Sequence, residues 1–181
     1  MKFTKTEIKD LWIIEPVKFG DQRGYFMESF KKDLFEQHIG KVNFIQDNES
    51  KSGFGVLRGL HYQEGEFSQA KLVRVISGKV LDVAVDLRKD SPTYGKHITV
   101  ELSEENCRQV FIPRGFAHGF VVLSDIAIFN YKVDNIYAPQ SERTICFNDP
   151  VLNIDWQIKH EEMKLSEKDL KGTSFNDSYK F

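Results

Sequence analysis

Three short stretches of this chain gather residues that can move protons or hold charge. The first is Arg58-Gly59-Leu60-His61-Tyr62-Gln63, which comes shortly after Gln46-Asp47-Asn48. The second is Pro113-Arg114-Gly115-Phe116-Ala117-His118-Gly119-Phe120, and the third is Tyr131-Lys132. An imidazole titrates near neutral pH, so His61 and His118 suit proton transfer or metal ligation. A stable divalent site wants three or four well-placed nitrogen, sulfur or oxygen ligands. Two histidines and the Gln63 amide are a poor set for one, which leaves both rings free for acid–base work. Cys107 and Cys146 have no ligand-like spacing either, and read as two reduced, buried thiols.

The elements that must position these groups are mostly strands. Residues 71–76 and 79–87 are rich in Val and Leu and are joined by Ser77-Gly78, a hairpin signal. Leu81, Val83, Val85 and Leu87 alternate with Asp82, Ala84 and Asp86, which predicts a half-buried strand. Residues 97–102 and 108–112 repeat the pattern around a polar turn, as do 119–123 and 126–133 around Ser124-Asp125. Short strands with frequent turns predict a β-sandwich or barrel. Helix is expected only at 31–39, closed by Gly40, and from Ser166-Glu167-Lys168-Asp169, where Ser166-x-x-Asp169 also reads as a capping box. No repeat or linker divides the chain, so residues 1–181 are expected to form one all-β domain with a few short flanking helices.

Composition bounds the function. With 181 residues, 40% hydrophobic and 29% charged, the chain has a soluble globular mixture. It has no apolar run near the roughly 18–20 residues of a bilayer span and no secretory signal, so we expect no membrane association and a cytoplasmic location. The 25 basic and 27 acidic residues nearly cancel, without a long run of one sign. That excludes a nonspecific grip on nucleic acid, yet local basic residues can hold a small phosphorylated ligand. No Gly-x-Gly-x-x-Gly fingerprint follows a strand, so no nicotinamide cofactor is expected.

A glycine shortly before His61, and Pro113-x-Gly115-x-x-His118 later, resemble the two motifs of the cupin jelly-roll barrels. Metal-binding cupins carry His-x-His in the first motif, and Gln63 occupies the second of those positions here. The wider set of segments is similar to the dTDP-4-dehydrorhamnose 3,5-epimerase family of sugar-nucleotide enzymes. It includes DQRGYFME at 21–28, residues 44–50 and 58–63, DVAVDLRKDSPTYG at 82–95, residues 112–120, Tyr131-Lys132, Asp149-Pro150 and residues 165–169. The resemblance implies an isomerase that needs no cofactor or metal. It would convert dTDP-4-dehydro-6-deoxy-D-glucose to dTDP-4-dehydro-L-rhamnose by inverting carbons 3 and 5, ahead of reduction by a separate enzyme.

The same resemblance implies roles. His61 is the base, Tyr131 the acid on the opposite face of the sugar, Asp169 the partner that orients His61, and Lys71 the cation near the enolate oxygen. Arg23 and Arg58 contact the substrate, with Glu28, Gln46, Asp47, Asn48, His118, Glu142 and Lys168 nearby. Tyr137 stacks on the thymine. A homodimer is implied, in which the amino-terminal segment reaches into the neighbouring subunit's site. Read alone, Tyr131 alternates with Phe129 and Val133 as a sheet aromatic would, Asp169 serves as a helix cap, Lys71 is an exposed strand lysine and Arg23 a solvated turn charge.

Departures from the family pattern are local. Loop 64–70 differs from the commoner Pro-containing version, and Ala70 stands where glycine is frequent. Ketoisomerases on the same frame generally differ around the acid position, so Tyr131 favours epimerisation. The sequence leaves open an epimerase acting only at carbon 3 or carbon 5, a metal-dependent cupin dioxygenase and a non-catalytic sugar-binding module.

Overall fold

Side chains on a strand alternate between its two faces, so a chain of short strands buries its apolar residues best between two facing sheets. The computed structural model describes residues 1–181 and has this form. In chain order the elements are β1 (Lys2–Lys5), β2 (Trp12–Glu15), β3 (Lys18–Asp21), β4 (Gly24–Met27), α1 (Lys32–His38), β5 (Gln46–Gly53), β6 (Leu57–Gln63), β7 (Lys71–Ser77), β8 (Lys79–Asp86), β9 (His97–Ser103), β10 (Gln109–Ile112), β11 (Phe116–Val122), β12 (Ile126–Val133), β13 (Glu142–Thr144) and α2 (Glu167–Leu170). A six-stranded sheet runs β1-β2-β10-β7-β12-β5 and faces a five-stranded sheet, β13-β6-β11-β8-β9. Both are antiparallel throughout, which is the all-β jelly-roll architecture expected.

Three apolar clusters follow from the alternation. Between the sheets, Val73 and Val75 of β7, Val110 and Ile112 of β10, and Phe129 of β12 meet Val80, Ala84, Val100, Phe116 and Phe120. The outer face of the five-stranded sheet carries Leu60, Leu81, Val83, Val85 and Val121, covered by Phe147, Leu152, Trp156 and Phe175 of the carboxyl-terminal segment. On the outer face of the six-stranded sheet, Ile14, Leu72 and Phe111 are covered by Phe35 of α1. Hence β8 departs from the half-buried expectation. Both of its faces are covered, and Asp82 and Asp86 lie among its buried residues.

Other differences are local. The strand expected at 119–123 starts at Phe116, immediately after Gly115 in a left-handed conformation, and so includes His118. The helix expected at 31–39 covers 32–38, with Gly40 at φ +121 beyond its end. Both thiols are free, but only Cys107 is buried and Cys146 is half-buried. The hairpin β3–β4 forms a two-stranded sheet of its own and exposes Phe19 and Phe26. No helix is long and apolar enough to cross a membrane.

Candidate functional site

His61 and His118 sit opposite each other on the paired strands β6 and β11. The ladder is irregular just beyond His118, where Gly59 and Gly119 cross closely. A Cβ on Gly59 would lie 2.6 Å from the Gly119 Cα, and Gly59 has φ +143, so only glycine fits there. Gly59, two residues before His61, and Gly119, next to His118, thus let the two strands come together.

The partner of His61 arrives from the far end of the chain. Short bridges, Val56 to Lys164 and Ile145 to Thr173, fasten the carboxyl-terminal segment on either side of α2. Asp169 Oδ1 stands 2.7 Å from His61 Nε2 and also accepts the Gly59 N–H at 3.1 Å. The histidine contact is close, but the ring is not aligned for a straight hydrogen bond. Asp169 Oδ2 accepts the Ser166 hydroxyl at 2.5 Å and the Ser166 N–H at 3.2 Å, completing a capping box. The carboxylate therefore caps α2 with one oxygen and faces His61 with the other. Burial works to raise its pKa, but the close His61 ring and the hydrogen bonds from Ser166 and Gly59 prevail and hold it well below the usual carboxylate range.

A second histidine–aspartate pair lies inside. His118 Nε2 is 2.8 Å from Asp82 Oδ2, with both side chains buried. Burial pushes the His118 imidazole down, against the opposing pull of Asp82. Asp82 was not singled out in the sequence. Its signal is a carboxylate inside an otherwise apolar strand, which must find a partner when buried.

The six-stranded sheet supplies the facing groups. Phe129 points into the interior, so Tyr131, two residues on, shares its face; the two rings lie 6.2 Å apart, and His118 lies 6.1 Å from Phe129. By the same period Lys71 shares the inward face of Val73 and Val75. Burial raises the Tyr131 phenol, with Arg58 opposing and Glu142 reinforcing. Burial pushes the Lys71 amine down to about 8, against the pull of Asp82 and Glu142. Asn48 and Gln46 pair across the ladder with Tyr131 and Val133, and the Gln46 amide donates to Asn48 Oδ1 at 2.7 Å. The Arg58 guanidinium donates twice to Ser52 Oγ at 3.2 Å. Glu142 accepts the Tyr137 hydroxyl at 2.7 Å on one oxygen and pairs with Lys168 on the other.

The structure thus gathers His61, Asp169, His118, Lys71, Tyr131, Arg58, Glu142, Lys168 and Tyr137, with Gln46 and Asn48 beside them. Three expected residues stand apart. Asp47 lies opposite Lys132 in the register, one position out of phase with Asn48, and pairs with Lys132 on the outer face beside Leu72 and Arg74. Arg23 is held by Asp21 at the tip of the exposed β3–β4 hairpin, and Glu28 lies exposed just beyond that hairpin. The Gln63 amide is fully engaged with backbone: it donates to Phe67 and Ile136 carbonyls and accepts the Ala138 N–H.

Comparison with known proteins gives the same answer over nearly the whole chain. A family model described as dTDP-4-dehydrorhamnose 3,5-epimerase matches residues 5–177. The chain is 55% identical to dTDP-4-dehydrorhamnose 3,5-epimerase of Shigella flexneri over 98% of both chains. Its fold is similar to the crystal structure of dTDP-4-dehydrorhamnose 3,5-epimerase from Elizabethkingia anophelis, with a TM-score of 0.94 and 54% identity over 98% of this chain and 97% of that one. It is also similar to dTDP-6-deoxy-D-glucose-3,5-epimerase from Legionella pneumophila in complex with dTDP-4-keto-L-rhamnose, with a TM-score of 0.93 and 49% identity over 97% and 93%.

Proposed function

The chain belongs to the dTDP-4-dehydrorhamnose 3,5-epimerase family of isomerases, and we propose that it inverts carbons 3 and 5 of dTDP-4-dehydro-6-deoxy-D-glucose by proton transfer between His61 and Tyr131. A proton on either carbon lies beside the carbon-4 ketone, so its removal leaves an enolate. Inversion needs a base on one face of the sugar and an acid on the other, because a single base returning its own proton restores the starting configuration. His61 projects from the five-stranded sheet and Tyr131 from the six-stranded sheet into the interior between them, and this single arrangement carries the reading.

His61 takes the carbon-bound proton, and the ionised Asp169 beside it stabilises the imidazolium that forms. The Lys71 ammonium, held where water is scarce, stabilises the enolate oxygen. Tyr131, kept protonated by burial, delivers its hydroxyl proton to the opposite face. Both groups return to their starting states by exchange with solvent, and the second carbon is treated in turn. Arg58 and Lys168 supply charge for the diphosphate, and Tyr137 an exposed ring for the base. Inversion at both carbons is supported by the Legionella relative, which binds a 4-keto-L-rhamnose nucleotide.

The reading extends to assembly. Residues 1–181 act as one epimerase domain in the cytoplasm, as a homodimer in which the β3–β4 hairpin brings Arg23 and Glu28 to the partner's site. Phe26 and Phe19 on that hairpin are 67% and 62% exposed, a cost that a covering subunit removes. The test is incubation with dTDP-4-dehydro-6-deoxy-D-glucose in deuterium oxide. Label at carbons 3 and 5 is expected; label at one carbon would make it a single-centre epimerase, and no label a binding protein.

A further inference from the structure

We infer that Ser166 is a positioning residue for the His61–Asp169 pair, its hydroxyl fixing the carboxylate and setting how firmly it holds the imidazole; this rests on the reading of His61 as the base. Ser166 Oγ accepts the Asp169 N–H at 3.3 Å, so its single proton is left to point at Asp169 Oδ2, 2.5 Å away. The opposite oxygen, Oδ1, is fixed by the Gly59 N–H, from the strand that carries His61. The carboxylate is thus clamped between β6 and α2, with the hydroxyl on the side away from the histidine.

Two consequences follow from ordinary hydrogen-bond chemistry. A donor on Oδ2 draws negative charge away from Oδ1, which weakens the hold of Oδ1 on a protonated imidazole. It also stops the carboxylate from turning about its own axis. Without the hydroxyl, Oδ2 keeps only the Ser166 N–H. The other charged groups near His61 do not involve Ser166: His118 lies across from it on β11, and Glu142 on β13 is already paired with Lys168.

The test compares Ser166→Ala, Ser166→Gly and Ser166→Thr. Glycine is nearly as good a helix N-cap as serine, so Ser166→Gly separates capping from donation, and threonine keeps the hydroxyl. The His61 ring is titrated by NMR in each variant, its signal assigned by loss in His61→Asn. We expect its midpoint to rise by about half a unit or more in Ser166→Ala and Ser166→Gly, and to stay at the wild-type value in Ser166→Thr. With it, the acid limb of kcat/KM should move to higher pH, and kcat should fall ~10-fold or more with little change in KM. An unmoved midpoint in both hydroxyl-less variants, with activity falling only as the folded fraction falls, would make Ser166 a helix cap and nothing more. A moved midpoint without a moved kcat/KM limb would uphold the positioning role and count against His61 as the base.

Discussion

His61 Nε2 and Asp169 Oδ1 stand 2.7 Å apart, although one residue lies on an interior strand and the other on a four-residue helix near the carboxyl terminus. The contact exists because the carboxyl-terminal segment crosses back to the sheet and is pinned on both sides of that helix. Docking of the carboxyl-terminal segment on the sheet therefore brings the two side chains together.

If His61 is the base, its removal should stop the chemistry at both carbons. For His61→Asn we expect turnover to fall by at least ~10²–10⁴-fold, with substrate affinity largely kept. Deuterium incorporation measured carbon by carbon checks this, and near wild-type exchange in the variant would rule out His61 as the base.

Lys71 gives a pH dependence with a definite sign. Its amine is pushed down to about 8, so it is charged below that pH and neutral above it. If the charge stabilises the enolate, kcat/KM of the free enzyme falls as pH rises through about 8. Lys71→Arg, which stays charged, should carry activity to higher pH, and Lys71→Met should lower kcat by ~10²–10³-fold below about pH 8, with the difference from the wild type shrinking above it. Wild-type activity unchanged far above pH 8 would detach Lys71 from the reaction.

Chelation should have no effect. Gln63 stands where metal-binding cupins place a histidine, and its amide is engaged by three backbone groups. Dialysis against a strong chelator should leave activity intact, with less than stoichiometric metal by elemental analysis. Loss of activity restored by one added metal would favour the dioxygenase-like reading.

The exposed hairpin predicts an assembly. Phe26→Asp places a charge in the middle of the apolar surface that a second copy would cover. Sedimentation should show the wild type as a dimer and the variant shifted toward monomer, with activity lost in proportion. A wild type that sediments as a monomer with full activity would contradict this.

Legibility in the sequence tracked how each strand meets its surroundings. Apolar strands between clear turns were visible: β12 was expected at 126–133 and lies there, and the chain turns at Ser77-Gly78 between β7 and β8, but the hairpin expected at that turn does not form, because β7 joins the six-stranded sheet and β8 the five-stranded one. The strand β5, QDNESKSG, has almost no apolar residue and was not read as a strand. It is an edge strand, paired with β12 alone, so it needs no apolar pattern to hold its place. The same polarity hid the phase of Gln46-Asp47-Asn48, and with it the fact that Asp47 points outward. Asp82 was hidden for the opposite reason: simple alternation assigned it to a solvent face, whereas a second sheet covers that face. His61, Tyr131 and Lys71 were legible through the motifs around them, but the contact between His61 and Asp169 depends on a return of the chain that no local pattern encodes.

The most direct test of the central claim, a base and an acid on opposite faces, is Tyr131→Phe in deuterium oxide. The phenylalanine keeps the packing against Phe129, and the stability lost should be about 1 kcal/mol or less. His61 and Lys71 remain, so proton removal continues, but the enolate is reprotonated mainly from the His61 side or by stray water. The variant should therefore exchange substrate protons for deuterium faster than it forms inverted product. Inversion at the wild-type rate would show that Tyr131 is only a sheet aromatic, and exchange and inversion vanishing together would show that it acts before the enolate forms.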